Sequence, residues 1–215
     1  MTKKKTSHPP TTNESLLFSS DMDWWHNAYL YEFHRSWNSY AAGYRKAAEV
    51  LVEHCSSLSW GRNNPYYEKN TLVYPIIFLY RQYVELTLKK IIQEGNKVVV
   101  NPQPLRLNHK LKELWDVCRH IIQERELPIS VEDLSSLESY VEQFSKFDPG
   151  ATTFRYPVTT QDKPSLPPTL TSISLRRLAD AMQKCATLLE RTSAYLEADV
   201  DLEREFREDF YPEPF

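Results

Sequence analysis

Arg81, Glu85 and Lys89 stand four residues apart within YPIIFLYRQYVELTLKKII (residues 74–92), a stretch that is otherwise apolar on nearly every side. A spacing of i, i+4 brings all three onto one helix face. Charges on so apolar a helix need partners, and such a group either carries chemistry or holds helices together. Two other stretches supply partners: NHKLKELW puts His109 at the start of a helix, and FRYP puts Arg155 and Tyr156 in a loop. Arg81, Glu85, His109 and Arg155, brought together in space, form the candidate site. The plainer alternative is wholly structural. Glu85 would be neutralised across the bundle by Arg155 or by Arg81, His109 would cap its helix, and Lys89 would reach solvent along its aliphatic stem.

Metal and cofactor chemistry finds no support. There is no HExxH, no CxxC pair and no GxSxG, and the four glycines form no phosphate loop or dinucleotide fingerprint. No metal site and no cofactor is therefore expected. His109 and His120 fall about three turns apart on one helix, too far to share an ion. His26 and His34 lie near Trp24, Trp25 and Trp37, where stacking on the rings is the simpler role for an imidazole. Trp24, Trp25, Trp60, Tyr66 and Tyr67 could stack bases, although packing or a dimer interface accounts for them as well. Lys3–Lys5 could touch phosphate or simply be solvated.

The elements that must position these groups are helical. Leu30, Phe33, Trp37, Tyr40, Tyr44, Ala47 and Leu51 recur in steps of three and four, the stripe of a long first helix that starts near Asp21. SSLSWGRNNPYYEKN breaks it. Asn70 is the expected cap of a second helix, with Pro75 near its beginning and Gly95 at its end. That helix is apolar around its circumference and should be central. A third follows from near His109, and a fourth begins at SVED, where Ser130 and Asp133 resemble a capping box. Next comes the proline-bearing loop FDPGATTFRYPVTTQDKPSLPPT, and a fifth helix from about Ser172 to Leu196. The expected fold is all-α, a bundle of about five helices with a long proline-bearing loop before the last. Residues 1–19 are expected to be a disordered tail, 20–198 the bundle, and 199–215 an acidic C-terminal tail that extends the last helix before fraying.

With 215 residues the chain can bury one core, and its formal charge of -3 with pI near 6.1 gives no global basic field. Nucleic acid would need a local patch. Cys55, Cys118 and Cys185 are far apart at apolar helical positions, which fits buried thiols in a reducing cytoplasm. Neither a signal peptide nor a membrane span is expected.

The ordered set of an arginine-bearing ELxLK helix, then HxLxxLW, then FRYP resembles bacterial proteins of the HEPN superfamily over residues 72–157. That resemblance implies a compact helical homodimer in prokaryotic defence or toxin–antitoxin settings, with RNA, a nucleotide or a protein as partner. Many such proteins are metal-independent ribonucleases in which the 2′-hydroxyl attacks the adjacent phosphate. Carried onto this chain, Arg81 or Arg155 would clamp the phosphate and His109 would carry the proton, with Glu85, Tyr156 and Lys89 as binding residues. The usual Arg-x(4-6)-His spacing is absent, because the first histidine after Arg81 is His109. A non-catalytic dimerisation or interaction module, or an antitoxin-type partner that binds through its acidic tail, is the alternative reading.

Overall fold

Pro65–Gly95 forms the helix on which the rest of the bundle is built, here α2. Asn64 caps it, its side chain accepting from the Tyr66 N–H at 3.1 Å, and Pro65 fills the first turn, where its missing N–H costs nothing. This start lies earlier than Asn70, so Pro75 falls inside the helix. Pro75 is exposed, and the carbonyl it leaves without a partner belongs to exposed Thr71, within reach of water. Beyond it, Ile76, Ile77, Tyr80, Val84, Leu88, Ile91 and Ile92 are all buried, which holds the helix together through the interruption.

In the computed structural model, residues 17–20, 22–32, 36–59, 64–105 and 108–210 are described. They contain five α-helices and no sheet, the one β-bridge being Val158 with Pro164. Besides α2 these are α1 (Trp37–Ser57), α3 (Leu111–Glu124), α4 (Val131–Phe147) and α5 (Leu175–Phe210). The all-α bundle is therefore the fold. No described helix is long and apolar enough to cross a membrane. In the bundle α2 packs on α1, α3 and α5, while α4 bridges α3 and α5.

The chain divides into two units, Met1–Arg35 and Ser36–Phe215. In the first, Trp24–His26 is one 3-10 turn, with Trp24 edge-on to Trp25 and Trp25 edge-on to His26. The first helix thus begins at Trp37 and not near Asp21. Ser36 is extended (φ -102°, ψ 156°) and its hydroxyl accepts from the Ser39 N–H, so the cap stops a periodicity that runs on upstream. Phe33, His34, Trp60 and nearly all of the expected N-terminal tail lie outside the described residues.

Two other termini differ from the sequence pattern only in detail. Ser130 caps α4, but the Asp133 carboxylate does not reach back to it and instead pairs with Arg191 on α5. The last helix starts at Leu175, a little after Ser172, and the acidic segment extends it past Leu196 as its sequence suggests. Arg125, just beyond α3, binds Asp199 through Nε and Nη2 at 2.7 and 2.9 Å and Glu203 at 2.9 Å, which neutralises the acidic turn and keeps it helical. Cys55, Cys118 and Cys185 are free thiols sealed in the core, and burial pushes the Cys185 thiol up to about 12.

Gly95 sets how closely α2 meets α3. A Cβ there would lie 2.5 Å from Ile121 Cγ2 and 2.8 Å from Cδ1. A β-branched side chain in a helix has one preferred χ1, so Ile121 cannot swing clear. Gly95→Ala is expected to destabilise the fold by about 1–3 kcal/mol in urea unfolding, and the same change should cost less in an Ile121→Ala background.

Candidate functional site

One face of α2 carries the charges. Glu85 and Arg81 have no solvent exposure and Lys89 has 4%. Arg81 Nη1 donates to Glu85 Oε2 at 3.0 Å from one turn before, and Lys89 Nζ donates to Oε1 at 2.7 Å from one turn after. His109 completes the shell from the segment leading into α3. Its Nδ1 lies 2.9 Å from Oε1 and 3.2 Å from Oε2, while its side chain keeps 53% exposure. With Nδ1–H donated to a carboxylate, the neutral ring has its Nε2 lone pair free, and Nε2 makes no hydrogen bond to the described residues.

Arg81 is spent on three structural contacts. Beyond Glu85, its Nη2 donates to the His109 carbonyl at 2.6 Å and its Nε to the Asp148 carbonyl at 3.1 Å. The Asp148 carboxylate sits 3.3 Å from Nε, an ion pair through Oδ2 without a well-aligned hydrogen bond. Its Oδ1 accepts from the Thr152 and Thr153 N–H groups at 2.8 and 2.9 Å. Asp148 therefore folds the turn that leads into FRYP and anchors it on α2. Within that turn Ala151 is left-handed (φ 57°), a conformation that costs a residue with a Cβ about 1–2 kcal/mol. The bonds from Asp148 hold it there.

Asp148 had no place in the candidate set read from sequence. A signal was present: it ends α4, where a carboxylate faces the negative end of the helix dipole and needs a reason to be there. Arg81 is that reason.

The buried charges balance. Arg81 and Lys89 offset Glu85 and Asp148, so with a neutral imidazole the cluster carries no net charge. Burial by itself would push the Glu85 carboxyl up, but the Lys89 ammonium, ahead of His109, overcomes it and holds the group below its ordinary value of 4.5.

Arg155 stands apart. It is exposed, its guanidinium 5.5 Å above the Phe78 ring and 5.5 Å above Tyr156, and its Nε donates to the Ala151 carbonyl. Glu85 thus pairs with Arg81 on its own helix, not with Arg155 across the bundle. Lys89 does not reach solvent, because the Glu85 carboxylate captures its ammonium. His109 is not the helix cap either: Lys110 occupies that position, and the imidazole turns to Glu85. Phe78 and Glu85 are seven residues apart on α2, so the places where Arg155 and His109 meet that helix are separated by about 10 Å along its axis. Tyr156 is exposed beside Arg155.

No family model, no curated protein and no solved structure matches the chain. Among the described residues no group of histidine, cysteine and carboxylate side chains could hold a metal ion.

Removing the Glu85 charge leaves Arg81 and Lys89 buried without their shared partner. Glu85→Gln is expected to cost about 3–5 kcal/mol in urea unfolding at pH 7. Because the folded-state pKa lies below 4.5, the contribution of Glu85 is fully present above pH 4.5 and is lost as pH falls through the folded-state value. The variant should accordingly lose less stability than the parent between pH 5 and pH 3, measured by the same unfolding curves.

Proposed function

We propose that this chain is a HEPN-like helical protein associated with RNA or nucleotide chemistry in prokaryotic defence or toxin–antitoxin biology, with His109 as its proton-carrying group. The family and its setting rest on the ordered ELxLK, HxLxxLW and FRYP motifs. The observation that carries the chemistry is the contact between sealed Glu85 and half-exposed His109. A carboxylate that cannot move fixes one imidazole nitrogen and leaves the other facing outward, the arrangement a general base needs.

In a metal-independent cleavage, Nε2 of His109 would take the proton of a ribose 2′-hydroxyl. The 2′-oxygen would bond to the adjacent phosphorus, and the bond to the 5′-oxygen would break as that oxygen takes a proton from water, His109 then releasing its own proton to solvent. The products would be a cyclic phosphate and a 5′-hydroxyl. Arg81 has no surface for a phosphate in this arrangement, so its part is to position His109 through the backbone carbonyl. Arg155 is the exposed arginine of the pair, and its distance from His109 along α2 suits a neighbouring phosphate better than the reacting one. Glu85 divides its charge among two cations and the imidazole, so it orients the ring more than it drives proton transfer.

A second reading is a non-catalytic interaction module. It is favoured by the three contacts of Arg81, which fix the His109 segment and the turn before FRYP and so present Arg155 and Tyr156 on a rigid surface. Incubation of the purified chain with mixed cellular RNA separates the two. Cleavage that persists with chelator, leaves cyclic-phosphate ends and falls about 100-fold or more in His109→Ala is the expected outcome. Cleavage abolished by chelator, or undiminished in His109→Ala, removes His109 from the chemistry, and absence of any cleavage favours the module.

The same reading includes a homodimer. Light scattering at tens of micromolar is expected to give twice the 25.3 kDa chain mass, and the monomer mass would count against it.

A further inference from the structure

A slot lies where α1 and α5 flank α2, and none of its residues belongs to the His109 cluster. Ala41 and Ala42 of α1 and Ala194 of α5 line it, side chains too short to close the gap between the two helices. Its volume is about 450 Å³, within the range of small-molecule sites.

Small residues alone would only leave a gap. Two buried hydroxyls make it more than that. Tyr83 is 3% exposed and Ser193 is 7% exposed, both line the slot, and neither hydroxyl makes a hydrogen bond. Six buried side-chain polar atoms among the described residues lack a hydrogen bond, so a third of them belong to this one slot. Local satisfaction is the rule elsewhere in these helices. The Thr87, Thr187 and Thr192 hydroxyls each return to the carbonyl four residues back, at 2.8, 3.0 and 2.9 Å, whereas Ser193 makes no such bond. Thr87 sits beside the Tyr83 hydroxyl without an aligned bond to it. Burial pushes the Tyr83 phenol up, so its hydrogen stays available to donate.

The charges at the rim cancel. Arg45 is held by Glu49 and Glu190, Lys90 lies 2.7 Å from Glu197, and with Lys46 the lining has three cations and three carboxylates. An ionic ligand would have to displace a partner that the chain already supplies. The pairs engage Oε1 of each glutamate, and Oε2 of Glu49, Glu190 and Glu197 accepts a hydrogen bond from no described residue. Asn38 adds an amide at the same rim. The slot thus offers donors and acceptors together without net charge. A phosphate or carboxylate brings acceptors only, and an ammonium brings donors only. A hydroxyl does both.

We propose that this slot binds a neutral monosaccharide. The sugar ring lies against the alanine walls, and its hydroxyls satisfy Tyr83 and Ser193 below and the unused carboxylate oxygens at the rim. The site is independent of His109 and of the chemistry assigned to it.

Titration calorimetry of the full chain tests it, with glucose, galactose and mannose as neutral probes and glucuronate and glucosamine as charged ones. At least one neutral hexose is expected to bind saturably at millimolar concentration, about threefold or more tightly than either charged probe. Tyr83→Phe and Ser193→Ala each delete one hydroxyl and are each expected to weaken that sugar about fivefold or more. Ala194→Phe, at an exposed position, should fill the slot and abolish binding, while His109→Ala should bind as the parent does. Thermal melting of the free protein supplies a second readout. Because the two hydroxyls have no partner without the sugar, Tyr83→Phe and Ser193→Ala are expected to keep or raise the melting midpoint. A lowered midpoint in both would mean that ordered water already satisfies these groups, and that overturns the proposal. No saturable binding of any neutral hexose at tens of millimolar overturns it as well. So does unchanged affinity in both hydroxyl variants, or tighter binding of a charged probe than of every neutral one.

Discussion

Glu85 lies where water does not reach, and the helix that carries it supplies counter-charges one turn to either side. An isolated carboxylate in that position would be expensive to keep ionised, and an isolated Arg81 or Lys89 equally so. Each is tolerable because of the others. The rest of the bundle accommodates this one constraint: α2 must be central to hide the pair, and both the segment before α3 and the turn after α4 must come to α2 to finish satisfying Arg81.

The consequence for the surface is more interesting than the energetics. A guanidinium presents its donors in a fixed planar fork, so three bonds from Arg81 define the relative placement of three chain segments. Lysine could not do this with a single nitrogen. The His109 ring, placed by its own backbone carbonyl and by Glu85, has little freedom left. The turn through Asp148 keeps a left-handed Ala151 that would relax elsewhere. A strained turn next to an exposed Arg155 and Tyr156 is a feature that packing alone does not require. That is why the surface beside the cluster, more than the cluster itself, is the place to look for a partner.

The acidic end of the chain illustrates the opposite case. Asp199 and Glu203 resemble a solvated tail in composition, yet Arg125 takes both. Charge in the sequence is a poor guide to charge available for binding, because ion pairing inside the fold uses it up.

The helical class, the central place of α2 and the inward faces of α3 and α5 were legible in the sequence, since periodic burial of Leu114, Cys118, Ile121 and Leu189 is a local pattern that any compact solution must honour. So was the participation of Arg81, Glu85 and His109 in one cluster, because charges on an apolar helix demand it. Helix ends were less legible, as at Asn64 and Ser36, where a cap overruled the pattern. Partner choice was legible only in part, Arg81 being one of the two partners expected for Glu85. That Glu85 takes Lys89 and Arg81 while Arg155 turns to Phe78, and that Asp148 joins the network, depends on how the long loop after α4 returns to α2. Spacing along a chain fixes which residues share a helix face, but which charges meet across helices is decided only when the backbone closes and each buried group must find a partner within reach.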